Sequence, residues 1–272
     1  METLKGKERS LHALLRGYGR VALGFSGGVD STLLLRVALA VLGSGNVLAV
    51  IADTPSLPRK ELAGALRLAE TMGAECVVIH PDELSDPDYA ANPADRCYFC
   101  KKHLFGRIAK VAGERGFTQV LDGNNADDAG DYRPGRRAAG ELGVKSPLME
   151  AGLTKAEIRA LSRNAGLPTA DKPAMACLAS RIPYGTPVTA GVLAQVERAE
   201  EVLRVAGFVQ CRVRHHGEVA RVEVAIADMP RLLDESVRGT VVRDIQAAGY
   251  RYVTLDLQGY RMGSLNEGVR EP

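Results

Sequence analysis

No stretch of the 272 residues approaches the run of roughly 18 apolar positions that a membrane-crossing helix needs. The opening segment METLKGKERSLHALLRGYG interrupts every apolar run with Lys, Glu or Arg, so it does not read as a secretory leader. A cytoplasmic protein with no membrane partner is expected. Charge of one sign is equally scarce, because 35 Lys and Arg against 33 Asp and Glu leave a net charge of +2. Proteins that hold nucleic acid through its phosphates carry a basic excess, and aromatic residues make up only 5% of the chain. Both facts weigh against nucleic acid and toward a compact substrate. Cysteine is sparse too: five in a chain of this length do not make a disulfide framework, and in a reducing compartment closely spaced thiols more often bind metal or do chemistry. What remains is ordinary for a globular protein, with 46% hydrophobic and 25% charged residues. The length suits one large domain or two of unequal size.

From the N-terminus to about residue 167, short apolar runs alternate with amphipathic stretches. Residues 19–25, 47–52, 75–79 and 119–122 read as strands, and 31–42, 58–72 and 96–115 as helices. That alternation is the pattern of a parallel sheet flanked by helices, an α/β fold. Thr154-Lys155-Ala156-Glu157 has the form of a capping box opening a further helix, which stops before Gly166 and Pro168. Residues 168–187 then bring Pro168, Pro173, Pro183 and Pro187 around Ala176-Cys177-Leu178-Ala179-Ser180-Arg181. A loop this long inside a compact protein is functional or a linker. The expected organisation is therefore a first domain over 1–170, a cysteine-bearing linker over 171–187 and a smaller α+β domain over 188–272. Within the last, a helix over 190–205, a hairpin of 209–214 with 220–224, a helix over about 230–247 and a strand over 250–257 are expected. Period-2 alternation puts Val209, Cys211 and Val213 on one face of the hairpin and Arg212 and Arg214 together on the other.

Between the first strand and the first helix lies Ser26-Gly27-Gly28-Val29-Asp30-Ser31. Consecutive glycines allow a sharp turn and close approach of a ligand to the backbone, and the helix behind them aims N–H groups and its positive dipole end at an anion. A plain glycine turn capped by Ser31 is the competing reading. The spacing matches neither the Walker loop nor the dinucleotide fingerprint. It does resemble the PP-loop of the ATP pyrophosphatase superfamily. That resemblance implies ATP cleaved between its α and β phosphates, pyrophosphate held by Ser26, Gly27, Gly28, Asp30 and Ser31, Mg²⁺ to offset the charge, and an adenylylated product. Asp122-Gly123-Asn124-Asn125-Ala126-Asp127-Asp128 follows a strand's C-terminal end, where open α/β sheets bind ligands. It is similar to the superfamily's second signature, with Asp127 and Asp128 as nucleotide or metal contacts; alone it reads equally as an Asx turn capping a helix.

Cys97 and Cys100, spaced i and i+3 in Arg96-Cys97-Tyr98-Phe99-Cys100-Lys101, share one helix face. One such pair is half a site: a redox pair, half of a zinc site, or, with Cys177 as third thiolate, three ligands of a [4Fe-4S] cluster with one iron open. Cys76 and Cys211 read as buried small hydrophobes.

Asn92-Pro93-Ala94-Asp95-Arg96-Cys97-Tyr98-Phe99-Cys100-Lys101, Lys172-Pro173-Ala174-Met175-Ala176-Cys177-Leu178-Ala179-Ser180-Arg181-Ile182-Pro183-Tyr184-Gly185 and Val209-Gln210-Cys211-Arg212-Val213-Arg214-His215-His216 resemble segments of the LarE sulfur transferases, over a span from about residue 5 to Leu265. The resemblance implies adenylylation of a carboxylate on a pyridinium dicarboxylate mononucleotide, then sulfur insertion to give a thiocarboxylate, in the making of a nickel-pincer nucleotide. It implies catalytic roles for Cys177, Asp30 and Lys101, contacts to the nucleotide substrate from Ser180, Arg181, Arg212 and Arg214, and metal binding by Glu200 and Glu223, whose ordinary reading is surface charge. It also implies a homo-oligomer, hexameric in some members. Members with one cysteine at the Cys177 position give up that sulfur; members with three resemble this chain and carry sulfide on a [4Fe-4S] cluster, held here by Cys97, Cys100 and Cys177. Two other functions are compatible with a PP-loop and three cysteines: thiolation of tRNA, which would need a basic face, and an iron–sulfur or nucleotide carrier without turnover.

Overall fold

The run Val-Leu-Ala-Val-Ile-Ala at Val47–Ala52 is apolar at every position and forms a strand buried along almost its whole length, as a strand covered on both faces must be. It lies in a four-stranded sheet in a computed structural model that describes residues 3–130 and 134–261. The strands are β1 (Val21–Gly24), β2 (Val47–Ala52), β3 (Glu75–Ile79) and β4 (Gln119–Leu121), all parallel and ordered β3-β2-β1-β4. Val21 sits opposite Val47 on one side and Gln119 on the other. Side-chain alternation splits these strands between two cores. Val21, Leu23, Val47, Ala49 and Ile51 belong to one core, with Leu11, Leu15, Leu34 and Ile158. Ala22, Leu48 and Val50 belong to the other, with Phe105, Ile108 and Ala112.

The helices in chain order are α1 (Leu4–Tyr18), α2 (Val29–Leu42), α3 (Arg59–Thr71), α4 (Pro87–Ala90), α5 (Arg96–Glu114), α6 (Pro134–Glu141), α7 (Pro147–Glu150) and α8 (Lys155–Asn164). The capping box at α8 is formed as expected, Thr154 Oγ1 accepting from the Glu157 N–H and Glu157 accepting from the Thr154 N–H. Helix α1 has no counterpart in the sequence reading, although Leu4, Leu11, Leu15 and Tyr18 recur at helical spacing and pack into the first core. No helix among the described residues is long and apolar enough to cross a membrane.

The chain divides into two units, one taking in the chain through Asp86 together with Asp95–Met175, the other Pro87–Ala94 together with the chain from Ala176 on. The division at Met175 falls inside the segment read as a linker, and the excursion of residues 87–94 is not visible in composition. Its cause is hydrogen bonding. Asn92, buried and at φ 57, donates its side-chain amide to the carbonyls of Pro183 and Thr186, each at 2.8 Å, and its own carbonyl accepts from Gly185. Val188 donates to the Ala90 carbonyl at 2.8 Å. Residues 176–187 are thereby part of the second unit's frame.

That unit holds α9 (Ala190–Val205), the antiparallel pair β5 (Cys211–His216) and β6 (Val219–Val224), α10 (Met229–Leu233), α11 (Glu235–Ala247) and β7 (Tyr252–Leu255), which pairs parallel with β6. Leu203, Phe208, Cys211, Val213, Val222 and Ile245 form its core. Val209, expected to join that face, lies outside the strand and is exposed.

Candidate active site

In the first unit the chain runs from β1 outward to β2 and β3, then returns to place β4 on the other side of β1. The order reverses between β1 and β4, and ligands of open α/β sheets bind at that switch point beyond the strands' C-terminal ends. Ser26-Gly27-Gly28 leaves β1 there, and Asp122-Gly123 leaves β4. The two loops meet: a Cβ on Gly123 would stand 3.2 Å from the Ser31 nitrogen and 3.5 Å from the Asp30 Cβ. Gly27 is required twice over. Its φ is +66°, and a Cβ there would lie 3.0 Å from the Cβ of Ala65 on α3. Gly28 is the N-cap residue of α2 and supplies no side-chain cap, which leaves the first-turn N–H groups of that helix available to an anion. The Ser26 and Ser31 hydroxyls stand 3.1 Å apart, and Ser31 donates to the Gly28 carbonyl.

Two lysines bracket this loop. Lys155, in the first turn of α8, forms an ion pair with Asp30 Oδ2, while Asp30 Oδ1 is buried without a hydrogen-bond partner among the described residues. Lys172 donates to the Gly27 carbonyl at 3.0 Å and pairs with Glu61 of α3. Neither lysine stands out by composition; their signals in the sequence are the place of Lys155 inside the capping box and of Lys172 at the head of the segment around Cys177. Asp122 is buried, accepting from the Asn124 N–H at 3.1 Å and the Ser146 hydroxyl at 2.7 Å. Burial pushes its carboxyl up, against the pull of the Ser146 bond and the Lys101 charge, which places Lys101 within electrostatic reach of this turn. Asp127 caps α8 by accepting from the Lys155 N–H at 2.8 Å, and Asp128 accepts from the Asn125 N–H at 2.9 Å. Asp127 thus serves α8 and Asp128 its own turn, in which Asn125 Oδ1 accepts from the Asp127 N–H at 3.0 Å as in an Asx turn. Beside Asn124 and Ser146 a cavity of about 360 Å³ is lined by Arg136, Arg137 and Met149.

In the second unit Cys177 is exposed and opens the short 3₁₀ turn Leu178–Arg181. Glu200 and Glu223, whose ordinary reading is surface charge, are buried, and so are Arg181 and Arg214. Arg181 is 1% exposed and Glu200 fully buried, and they form a two-bonded ion pair at 2.8 and 3.2 Å. Arg214 and Glu223 do the same at 2.9 and 2.9 Å. The correction has a physical cause: long charged side chains are stable inside a protein when paired fork to fork, a condition that periodicity does not report. Arg212 differs from Arg214. Its guanidinium donates to the Cys211 carbonyl and lies 5.1 Å from the Tyr260 ring centre. Burial and the neighbouring Arg181 charge pull it below the usual arginine range.

Cys97 is exposed and Cys100 half-buried, both in the first turns of α5 in the first unit, whereas Cys177 belongs to the second. Among the described residues no group of three or more His, Cys, Asp or Glu side chains is arranged to hold a metal ion.

The glycine-walled loop at the switch point of this parallel sheet has the Ser26-Gly27-Gly28-Val29-Asp30-Ser31 spacing of the PP-loop class of α/β domain, distinct from the dinucleotide fingerprint. The NAD synthase family profile matches residues 10–88. Over 267 residues, 98% of this chain and 96% of the relative, the sequence is 42% identical to the pyridinium-3,5-bisthiocarboxylic acid mononucleotide synthase of Lactiplantibacillus plantarum. It is 42% identical over 263 residues, 97% of the chain and 98% of the relative, to an uncharacterized protein of Synechocystis. A protein of Methanocaldococcus jannaschii, also uncharacterized, is 28% identical over 246 residues, 89% and 91% of the two chains. The chain belongs to the LarE family of PP-loop enzymes.

Proposed function

We propose that this enzyme adenylylates a carboxylate of a pyridinium dicarboxylate mononucleotide with ATP and replaces an oxygen of that carboxylate with sulfur. The observation that carries the reading is the joining of the Gly27 loop to the Asp122 turn at one switch point, in a chain matching a thiocarboxylate-forming synthase over nearly its full length. The N–H groups at the start of α2 receive the polyphosphate, Asp30 with its unpaired oxygen suits Mg²⁺, and Lys155 and Lys172 stand where they offset phosphate charge. The substrate's carboxylate oxygen attacks the α phosphorus, and pyrophosphate leaves. A sulfur nucleophile then attacks the acyl carbon, and AMP leaves. Arg212 suits the mononucleotide's phosphate, because a bound dianion relieves the like charge that Arg181 places beside it.

In this proposal the sulfur is carried on a [4Fe-4S] cluster. The donor set supports it: Cys97 and Cys100 one helical turn apart, with Cys177 as third thiolate, and when bound the cluster supplies an open iron for sulfide. As the side chains stand, however, no three of them form a metal-holding group among the described residues. A second reading rests on the exposure of Cys177 on a well-held turn: there Cys177 gives up its own sulfur once. Anaerobic iron and acid-labile sulfide counts, combined with the intact mass after turnover, separate the two. Four irons per chain and an unchanged mass are expected; loss of one sulfur from the polypeptide would establish sacrifice. If Cys97→Ala left sulfur transfer intact, the cluster reading would fall.

A further inference from the structure

Glu200 is a carboxylate with no vacancy. Its Oε1 accepts from Arg181 Nε at 2.8 Å and from the Val213 N–H at 3.2 Å, and its Oε2 from Arg181 Nη2 at 3.2 Å and Arg204 Nη2 at 2.9 Å. Four donors fill the roughly four acceptor positions of a carboxylate. Glu223 is nearly as occupied, taking both forks of Arg214 and, at 3.3 Å, Arg221. A metal ion could bind Glu200 only by displacing one of its four donors, and Glu223 offers it a single acceptor position beside the two bonds from Arg214.

The ion pairs leave each arginine one amino group, and both of these are spent on the turn that carries Cys177. Arg181 Nη1 donates to the Ala176 carbonyl at 2.8 Å, the Cys177 carbonyl at 2.9 Å and the Ser180 hydroxyl at 2.9 Å. Arg214 Nη1 donates to the Ser180 carbonyl at 2.8 Å. The Cys177 carbonyl accepts in addition from the Ser180 N–H at 3.0 Å and the Ser180 hydroxyl at 2.8 Å. The backbone around Cys177 is therefore fixed from beneath while its side chain stays exposed. A reacting group benefits from such a hold, since a displacement of about 1 Å costs on the order of 10²-fold in rate.

We propose that Glu200 and Glu223 are positioning residues for Cys177, acting through Arg181 and Arg214, and not metal ligands. The proposal rests on the reading of Cys177 as the thiol, or cluster ligand, through which sulfur passes. Its test, however, includes a readout that does not depend on that reading. In the full-length protein, Glu200→Gln should increase hydrogen exchange at the Ser180 and Ile182 amides, which the turn holds. The β5–β6 amides and α5 should keep their protection. Thiocarboxylate formation should lose on the order of 10²-fold in kcat, with the KM for ATP unchanged. The double variant Arg181→Met with Glu200→Met removes the pair without stranding a buried charge and should show the same local loosening; Ser180→Ala should show it to a smaller degree. Unchanged exchange at Ser180 and Ile182 in the double variant and in Ser180→Ala would overturn the proposal. So would loss of protection across the whole β5–β6 hairpin, which marks mere support of the fold, or loss of a tightly held Mn²⁺ on Glu200→Gln with the turn intact. If Cys177→Ala still transferred sulfur, the functional reading would fail while the exchange result still decided whether the two glutamates fix the turn.

Discussion

The loop at Gly27 and the turn at Cys177 treat their polar groups in opposite ways. At Gly27 the described residues leave capacity unspent: an α2 N-terminus with no side-chain cap, a buried Asp30 oxygen with no hydrogen-bond partner among them, and two lysines on partly exposed ion pairs. At Cys177 nearly everything is spent: four donors on one buried carboxylate, three on the other, and the remaining arginine nitrogens on backbone carbonyls. The first arrangement suits a charged ligand that completes it on binding. The second suits a group that must stay put whatever is bound.

Removing charge from each region should therefore cost different things. The largest effect is expected from Arg214→Ala, which leaves Glu223 buried with Arg221 as its one remaining cation among the described residues; stability should fall by about 3 kcal/mol, read as a drop in the melting temperature. Gly27→Ala follows. It forces a side chain into a positive-φ position and against Ala65, costing about 1–3 kcal/mol, and the KM for ATP should rise. An unchanged KM for ATP would remove the loop from the nucleotide site.

The smallest effect concerns pH, and its sign differs between the units. Asp122 is held above the ordinary carboxylate value of 3.8 by burial, so its contribution is full below that value and is lost as pH rises through its shifted pKa. Asp122→Asn should gain on the wild type over that window. His215, packed on Tyr250 in the second unit, is held below 6.5 by burial and then by His216. Its contribution is full above 6.5 and is lost as pH falls through its depressed pKa. His215→Asn should therefore narrow its deficit on acidification. Thermal melts of the two variants against the wild type check both signs, and parallel trends would contradict the contrast.

The same contrast governs what could be read from the sequence. The Gly27 loop is legible because its requirement is local: six adjacent residues specify a tight turn before a helix. The parallel sheet is legible because unbroken apolar runs such as 47–52 have few other uses. The Arg181–Glu200 and Arg214–Glu223 pairs join residues on different elements, and nothing within one strand or helix marks a charged side chain as buried. Alternation puts Arg212 and Arg214 on one face of β5 without revealing that, among the described residues, Arg214 is paired with a carboxylate and Arg212 is not. The transfer of residues 87–94 to the second unit depends on Asn92 reaching carbonyls about 90 positions away, beyond any local pattern. Helix α1, not among the elements expected from the sequence, is carried by Leu4, Leu11, Leu14, Leu15 and Tyr18 at helical spacing among many charges.

The central claim is that one unit spends ATP on a carboxylate and that the turn at Cys177 delivers sulfur to it. The most direct test follows pyrophosphate and thiocarboxylate together in Cys177→Ala, with ATP and a pyridinium dicarboxylate mononucleotide. The account predicts substrate-dependent pyrophosphate release with no thiocarboxylate. Thiocarboxylate formed at the wild-type rate without the Cys177 sulfur would contradict it.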